Sequence, residues 1–165
     1  ASDTGVVTMH MLGDSPATMQ ADPRYGDVVA EVGQFLLESR AALMAAGVAP
    51  ERICLDPGFG FGKTLAHNLA LYRGIPGWAQ VAPVLVGVSR KSMLGAITGQ
   101  PVDRRLPASL AAALAGVQAG ATIVRVHDVP ETAQALAVWV ATGLPAMRAG
   151  SVHNAAGQTG HTAEE

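Results

Sequence analysis

A chain of 165 residues, 49% hydrophobic and 15% charged, is large enough for one globular domain with its own core. Its net charge of −2 excludes the basic face that nucleic acid or an anionic membrane surface requires. The single cysteine, Cys54, excludes an internal disulfide framework and a cysteine-cluster zinc site, and no apolar run approaches the roughly 20 residues that span a bilayer. With no basic-then-apolar leader, the expectation is a soluble cytoplasmic protein.

The first apolar run, residues 6–9, begins almost at once, without an initiator Met, as if the chain started in the middle of something. It is β-branched and reads as a strand, ending in His10 and Met11. Residues 27–46 follow as a helix, with Val28, Val32, Phe35, Leu36 and Leu43 on one face and Gly47 as the stop. A second strand, 53–55, leads to Asp56-Pro57-Gly58 and then to a weaker helix over 65–72, where Leu69 and Tyr72 share a face. The third strand, 84–88, turns into a helix start at Ser89-Arg90-Lys91-Ser92, and an Ala-rich helix over 108–119 stops at Gly120. The fourth strand, 122–126, carries Arg125 and precedes His127 and Asp128. A last helix starts near Asp128-Val129-Pro130-Glu131, with Asp128 as its capping acid and Ala135, Leu136, Trp139 and Val140 as its face.

Nearly continuous apolar strands are expected to be buried on both faces of a parallel sheet. Four strand–helix units in alternation predict an α/β fold with parallel strands and right-handed crossovers. A closed eight-unit barrel needs about 250 residues, so the four units form either a small open sheet or half of a (β/α)8 barrel. The domain is expected over residues 1–148, and the aperiodic residues 149–165 read as a disordered tail.

Polar residues cluster at one end of every strand, the carboxyl end, where parallel α/β folds bind ligands. The run Asp56 to Thr64 is not a phosphate loop, because Pro57 stands where the motif needs Gly and Lys63 where a dinucleotide fingerprint needs its third Gly. A strand-end carboxylate such as Asp56 suits an N–H pair, which it can grip with two charge-assisted hydrogen bonds. Arg125 and His127, two apart on a strand, leave the same face and, with Lys91, make a cationic corner for a phosphate or diphosphate. The bland alternatives are that Arg125 pairs with a core acid, His127 caps a backbone group and Lys91 is a solvated lysine. The helix start at Ser92 favours an anionic group such as a carboxylate. Phe61, between two glycines, is expected to be exposed on a mobile loop. His10, His67, His153 and His161 lack metal-ligand spacing and read as structural or solvated, and Cys54 as inert packing.

These residues carry a resemblance. Met9-His10-Met11 with Thr18-Met19-Gln20 and Tyr25, the run Leu55 to Lys63 with His67-Asn68, the run Val86 to Ser92, and Val124 to Asp128 together resemble the C-terminal half of the dihydropteroate synthases, of the pterin-binding family. The resemblance implies the C-terminal half of a (β/α)8 barrel and a folate-pathway transferase. That enzyme joins a dihydropterin methyl diphosphate to p-aminobenzoate, releases pyrophosphate with Mg²⁺, and is the target of sulfonamides. It implies Asp56 on the pterin's guanidine-like edge, Lys91 against the pterin ring near p-aminobenzoate, Arg125 against the pterin and His127 on the diphosphate. Lys91, Arg125 and His127 would be the catalytic residues. Met11, Phe61 and Gly87 would shape the pocket, with Phe61 and Ser92 on the p-aminobenzoate side. No metal ligand is expected in this chain, because the family's Mg²⁺ ligand lies in an N-terminal half with no counterpart here. A homodimer is implied for the full-length parent, and no nucleic acid or membrane partner. Two rival readings stay open: a non-catalytic half-barrel that dimerises or pairs with a separate chain, and a generic phosphosugar- or nucleotide-binding domain.

Overall fold

The computed structural model describes residues 4–13 and 23–143. The expected tail at 149–165, the domain end at 148 and the Thr18-Met19-Gln20 motif lie outside the described residues. The order is β1 (Val6–Met9), α1 (Val28–Ala45), β2 (Ile53–Asp56), α2 (Leu65–Ala79), β3 (Leu85–Val86), α3 (Ser92–Thr98), α4 (Leu106–Ala119), β4 (Ile123–Val124) and α5 (Val129–Ala141). β1 runs parallel to β2, with Val6 opposite Ile53 and Met9 opposite Asp56, and β3 runs parallel to β4. A parallel bridge between Leu55 and Val84 joins the pairs, so the strands follow chain order. Among the described residues the arc stays open: β1 and β4 do not pair with each other.

The inner strands are buried, Ile53, Leu55, Val84 and Val86 at no more than 1% exposure. The outer ones are not: Val7 in β1 is 50% exposed and Ile123 in β4 42%. Among the described residues, burial on both faces therefore holds for β2 and β3 only, because β1 and β4 each have one strand neighbour there. β4 is also shorter than the apolar run, although the Arg125 N–H still donates to the Val86 carbonyl at 2.9 Å.

Asp27 starts α1 by accepting from the Val29 and Ala30 N–H groups, and Glu31 reaches back to the Asp27 N–H. Val28, Val32 and Leu36 face the core. Phe35 does not: it is 41% exposed and meets the His10 ring edge-on at 5.1 Å. Gly33 lets α2 approach, since a Cβ there would lie 2.8 Å from Trp78 Nε1. α2 runs through Pro76 to Ala79 instead of ending near Tyr72, and Leu71, Ile75 and Trp78 are its buried apolar side chains, while Leu69 is exposed. Burying Ile75 and Trp78 outweighs the hydrogen bond that Pro76 removes. In α4, Gly116 lies against Val86, as its small-residue face predicts. On α5, Thr132 is buried, Ala135, Leu136 and Trp139 are half-buried, and Val140 is exposed, against expectation. No helix among the described residues is long and apolar enough to cross a membrane.

Candidate functional site

Asp56 closes β2, and its Oδ1 accepts the Gly58 N–H at 2.8 Å. Burial pushes its carboxyl above the usual range, while that N–H and the charges of Lys91, Lys63 and Arg125 pull the other way. Two of these cations, Lys91 and Arg125, belong to the corner expected from the sequence; the third is Lys63 of the following loop, and His127 does not take part.

The loop after Asp56 turns through Gly58, Gly60 and Gly62, all at positive φ. Gly58 is obligatory, because a Cβ there would fall 1.8 Å from the His10 carbonyl oxygen. Asn68 Oδ1 accepts the Gly60 N–H at 2.8 Å, and the Tyr25 hydroxyl donates to the Gly62 carbonyl. The fold buries Lys63 inside this loop, where Nζ donates to the Gly58 and Phe61 carbonyls at 2.9 and 3.0 Å and meets His10 Nδ1 at 3.0 Å. Burial brings the ammonium down to about 8, and burial together with Lys63 holds His10 at about 4. His10 is thus a satisfied structural histidine. His67 is another, forming a reciprocal cap with Thr64 at the start of α2.

Lys91 precedes α3, and its Nζ donates to the Phe59 carbonyl and sits 4.7 Å from the Phe61 ring centroid. Burial lowers its pKa, Asp56 raises it and Arg125 lowers it. Lys91 is thus half-buried rather than solvated. Phe61 is half-buried too, a correction to its expected exposure, since the ammonium covers its ring. Phe59, Gly60, Phe61, Lys91 and Ser92 enclose a hollow of about 210 Å³. A larger hollow of about 330 Å³ lies elsewhere, among α2, α3 and α4, lined by Leu69, Met93 and Ile97 among others, and no charged side chain reaches it.

Arg90, before Lys91, adopts φ 59°, a conformation costing a non-glycine residue roughly 1–2 kcal/mol. It is held there from several directions. Its N–H donates to Ser109 Oγ at 3.0 Å, its carbonyl accepts from Arg105, and its guanidinium grips the Asp128 carboxylate. Against expectation, Asp128 therefore does not cap α5 with its side chain. Held by Arg90, its carboxyl lies below the usual range.

Arg125 and His127 are exposed at the end of β4. The His127 N–H donates to Ser89 Oγ at 3.2 Å, and its Nδ1 lies 3.1 Å from the same oxygen. Gly87 follows β3 beside Arg125, whose Cβ would be in ordinary contact, 3.7 Å, with an added Cβ. Met11 is half-buried just past β1. The charges of Asp56, Lys91 and Arg125 act on one another, and Phe61 and Ser92 join Lys91, whereas His127 is tied to Ser89. Sequence reasoning missed Lys63 and Arg90. A signal for Lys63 was available: a loop of alternating glycines turns carbonyls inward, and those need a buried donor. Cys54 is buried, with its thiol pushed up to about 11, which suits inert packing.

Comparison with known proteins fits this arrangement. Residues 1–127 match the model of the family described as pterin binding enzyme. The chain is 54% identical over 148 residues to a dihydropteroate synthase of Neisseria meningitidis serogroup B, covering 87% of this chain and 52% of that relative. Similar solved structures include two of this family. The dihydropteroate synthase of Stenotrophomonas maltophilia with active-site-bound imidazole gives a TM-score of 0.80 at 49% identity, over 84% of this chain and 53% of that one. That of Xanthomonas albilineans in complex with 7,8-dihydropteroate gives 0.76 at 44%, over 86% and 50%. The chain spans about half the length of the curated relatives it matches.

Proposed function

The chain belongs to the pterin-binding enzyme family, and on that premise we propose that it supplies the C-terminal half of a (β/α)8 barrel whose strand ends perform the dihydropteroate synthase reaction. The observation that carries this reading is the grouping of one carboxylate, Asp56, with Lys91 and Arg125 beside the Phe61–Lys91–Ser92 hollow. It is supported by similarity to an enzyme solved with 7,8-dihydropteroate, which unites a pterin with a 4-aminobenzoate group.

In this reading Asp56 accepts two N–H groups from the pterin edge, and its three cationic neighbours favour the ionised form this needs. The Lys91 ammonium lies against the pterin, and Arg125 packs against the pterin too. 4-Aminobenzoate occupies the hollow, its ring near Phe61 and its carboxylate toward Ser92 at the start of α3. Its amine lone pair attacks the pterin's methylene carbon as the C–O bond to diphosphate breaks. The diphosphate leaves with that electron pair, and the new amine sheds one proton. Arg125 and His127 stabilise the departing charge, the term that dominates in such reactions. Met11 and Gly87 set the pocket's walls.

Mg²⁺ is implied by the family, yet no group of three His, Cys, Asp or Glu side chains among the described residues could hold a metal ion. Asp56 is surrounded by cations instead. These residues do not fit a Mg²⁺ site, and the chemistry above is that of the chain's own side chains. The test is pyrophosphate release, assayed with both substrates, from this chain alone and joined to a segment supplying four more strand–helix units. The joined protein is expected to turn over and the 165-residue chain alone is not. Release that ignores His127→Ala in the joined protein would remove the role given to that residue.

A further inference from the structure

Lys63 is 4% exposed, an unusual place for an ammonium, and the roles above use only its distant charge on Asp56, not its hydrogen bonds. An ammonium has three N–H donors, and three acceptors converge on this one: the Gly58 carbonyl, the Phe61 carbonyl and His10 Nδ1, all at 2.9–3.0 Å. The arrangement resembles a cation site made of two carbonyl oxygens and an imidazole nitrogen, occupied by a tethered cation. The same loop carries the Phe59 carbonyl and the Phe61 ring, the two groups that meet Lys91 Nζ. A shift of Gly58 or Phe61 would thus carry both partners of Lys91 with it.

We propose that Lys63 is a positioning residue: its buried ammonium clamps the 58–62 loop to the end of β1 and thereby fixes Phe61 and Phe59 against Lys91, shaping the half of the site that would receive 4-aminobenzoate. The geometry also assigns the His10 tautomer, because an Nδ1 that accepts from Lys63 carries its ring proton on Nε2. Only the identity of the bound acid rests on the proposed function; the clamp itself does not.

The test uses Lys63→Ala in the intact protein, with and without ethylammonium, which fits the space left and restores three converging donors. Tetramethylammonium, with no N–H, is the control. One reading needs no ligand: proton chemical shifts of the Lys91 methylenes, displaced by the Phe61 ring. They are expected to lose that displacement in Lys63→Ala, regain it with ethylammonium and ignore tetramethylammonium. The other reading is 4-aminobenzoate affinity well below the melting midpoint, where a role in stability alone would leave it unchanged. The affinity is expected to fall on the order of tenfold or more and return with ethylammonium. Unchanged Lys91 shifts in the folded variant would overturn the proposal. If the unmutated protein binds no 4-aminobenzoate, the functional reading fails while the shifts still decide the clamp. Should Lys63→Ala not fold, His10→Gln and His10→Leu decide instead. Gln offers Nζ an acceptor and Leu does not, so only Leu should move the Lys91 signals; equal behaviour of the two would overturn the clamp.

Discussion

Replacing Gly58 by Ala tests the loop on which the site is built. Two costs add. The residue sits at φ 68°, where a side chain costs roughly 1–2 kcal/mol. Its new Cβ would also lie 1.8 Å from the His10 carbonyl oxygen and 2.9 Å from its carbon. Backbone atoms cannot rotate out of the way as a side chain can, so β1 and the loop must part, an overpacking cost of roughly 1–3 kcal/mol. The total is about 2–5 kcal/mol, a large share of a typical domain's stability. Parting them also disturbs the Gly58 N–H on Asp56 and the Lys63 bond to the Gly58 carbonyl. Gly60→Ala is the internal control. It has a similar φ of 80°, but its Cβ would meet the flexible Lys91 side chain, nearest at Cδ, 3.3 Å away, leaving a cost of roughly 1–2 kcal/mol. Urea unfolding of both variants should show Gly58→Ala clearly the more damaging. Equal destabilisation would refute the reasoning, because it would mean that the close approach to His10 contributes nothing.

Two further predictions concern acid and association. His10 has a folded pKa of about 4 against an ordinary 6.5, so between those values the unfolded chain holds more protons on it. Its contribution to stability is therefore complete above 6.5 and lost as the pH falls toward 4. Asp56, raised by burial, acts in the opposite sense, but it is common to the unmutated chain and His10→Gln, so the urea midpoint of the unmutated chain should fall relative to that of His10→Gln on acidification through this window. Parallel curves would contradict it. Among the described residues β1 has a strand neighbour on one side only, and Val7 and Met9 are exposed, so the 165-residue chain alone should associate with rising concentration in light scattering, and Val7→Lys should reduce that. A monomer unaffected by Val7→Lys would mean that the edge is not the sticky surface.

The strands were legible because β-branched runs such as Ile53-Cys54-Leu55 alternate with capped helical segments, and capping geometry at Asp27 is local. The length of α2 was not, because Gly74, Pro76 and Gly77 read locally as a break, while the packing of Ile75 and Trp78 is non-local. Asp56 and Lys91 stood out because charged side chains interrupt apolar strand ends. Lys63 did not, because its partners are two carbonyls and the ring nitrogen of a residue 53 positions away, just past β1. The left-handed turn at Arg90 also escaped, since nothing in an arginine signals positive φ, and Asp128, Ser109 and Arg105 hold it only once the chain is folded.

Calorimetry of a pterin analogue on Asp56→Asn tests most directly whether the strand-end carboxylate binds the pterin's N–H edge. The substitution keeps the shape but replaces an acceptor oxygen and its charge. A hydrogen bond to a charged group contributes roughly 1.5–3 kcal/mol, so affinity should fall by about tenfold to a hundredfold. Affinity equal to that of the unmutated protein would contradict the account and leave Asp56 as a cap for the Gly58 turn.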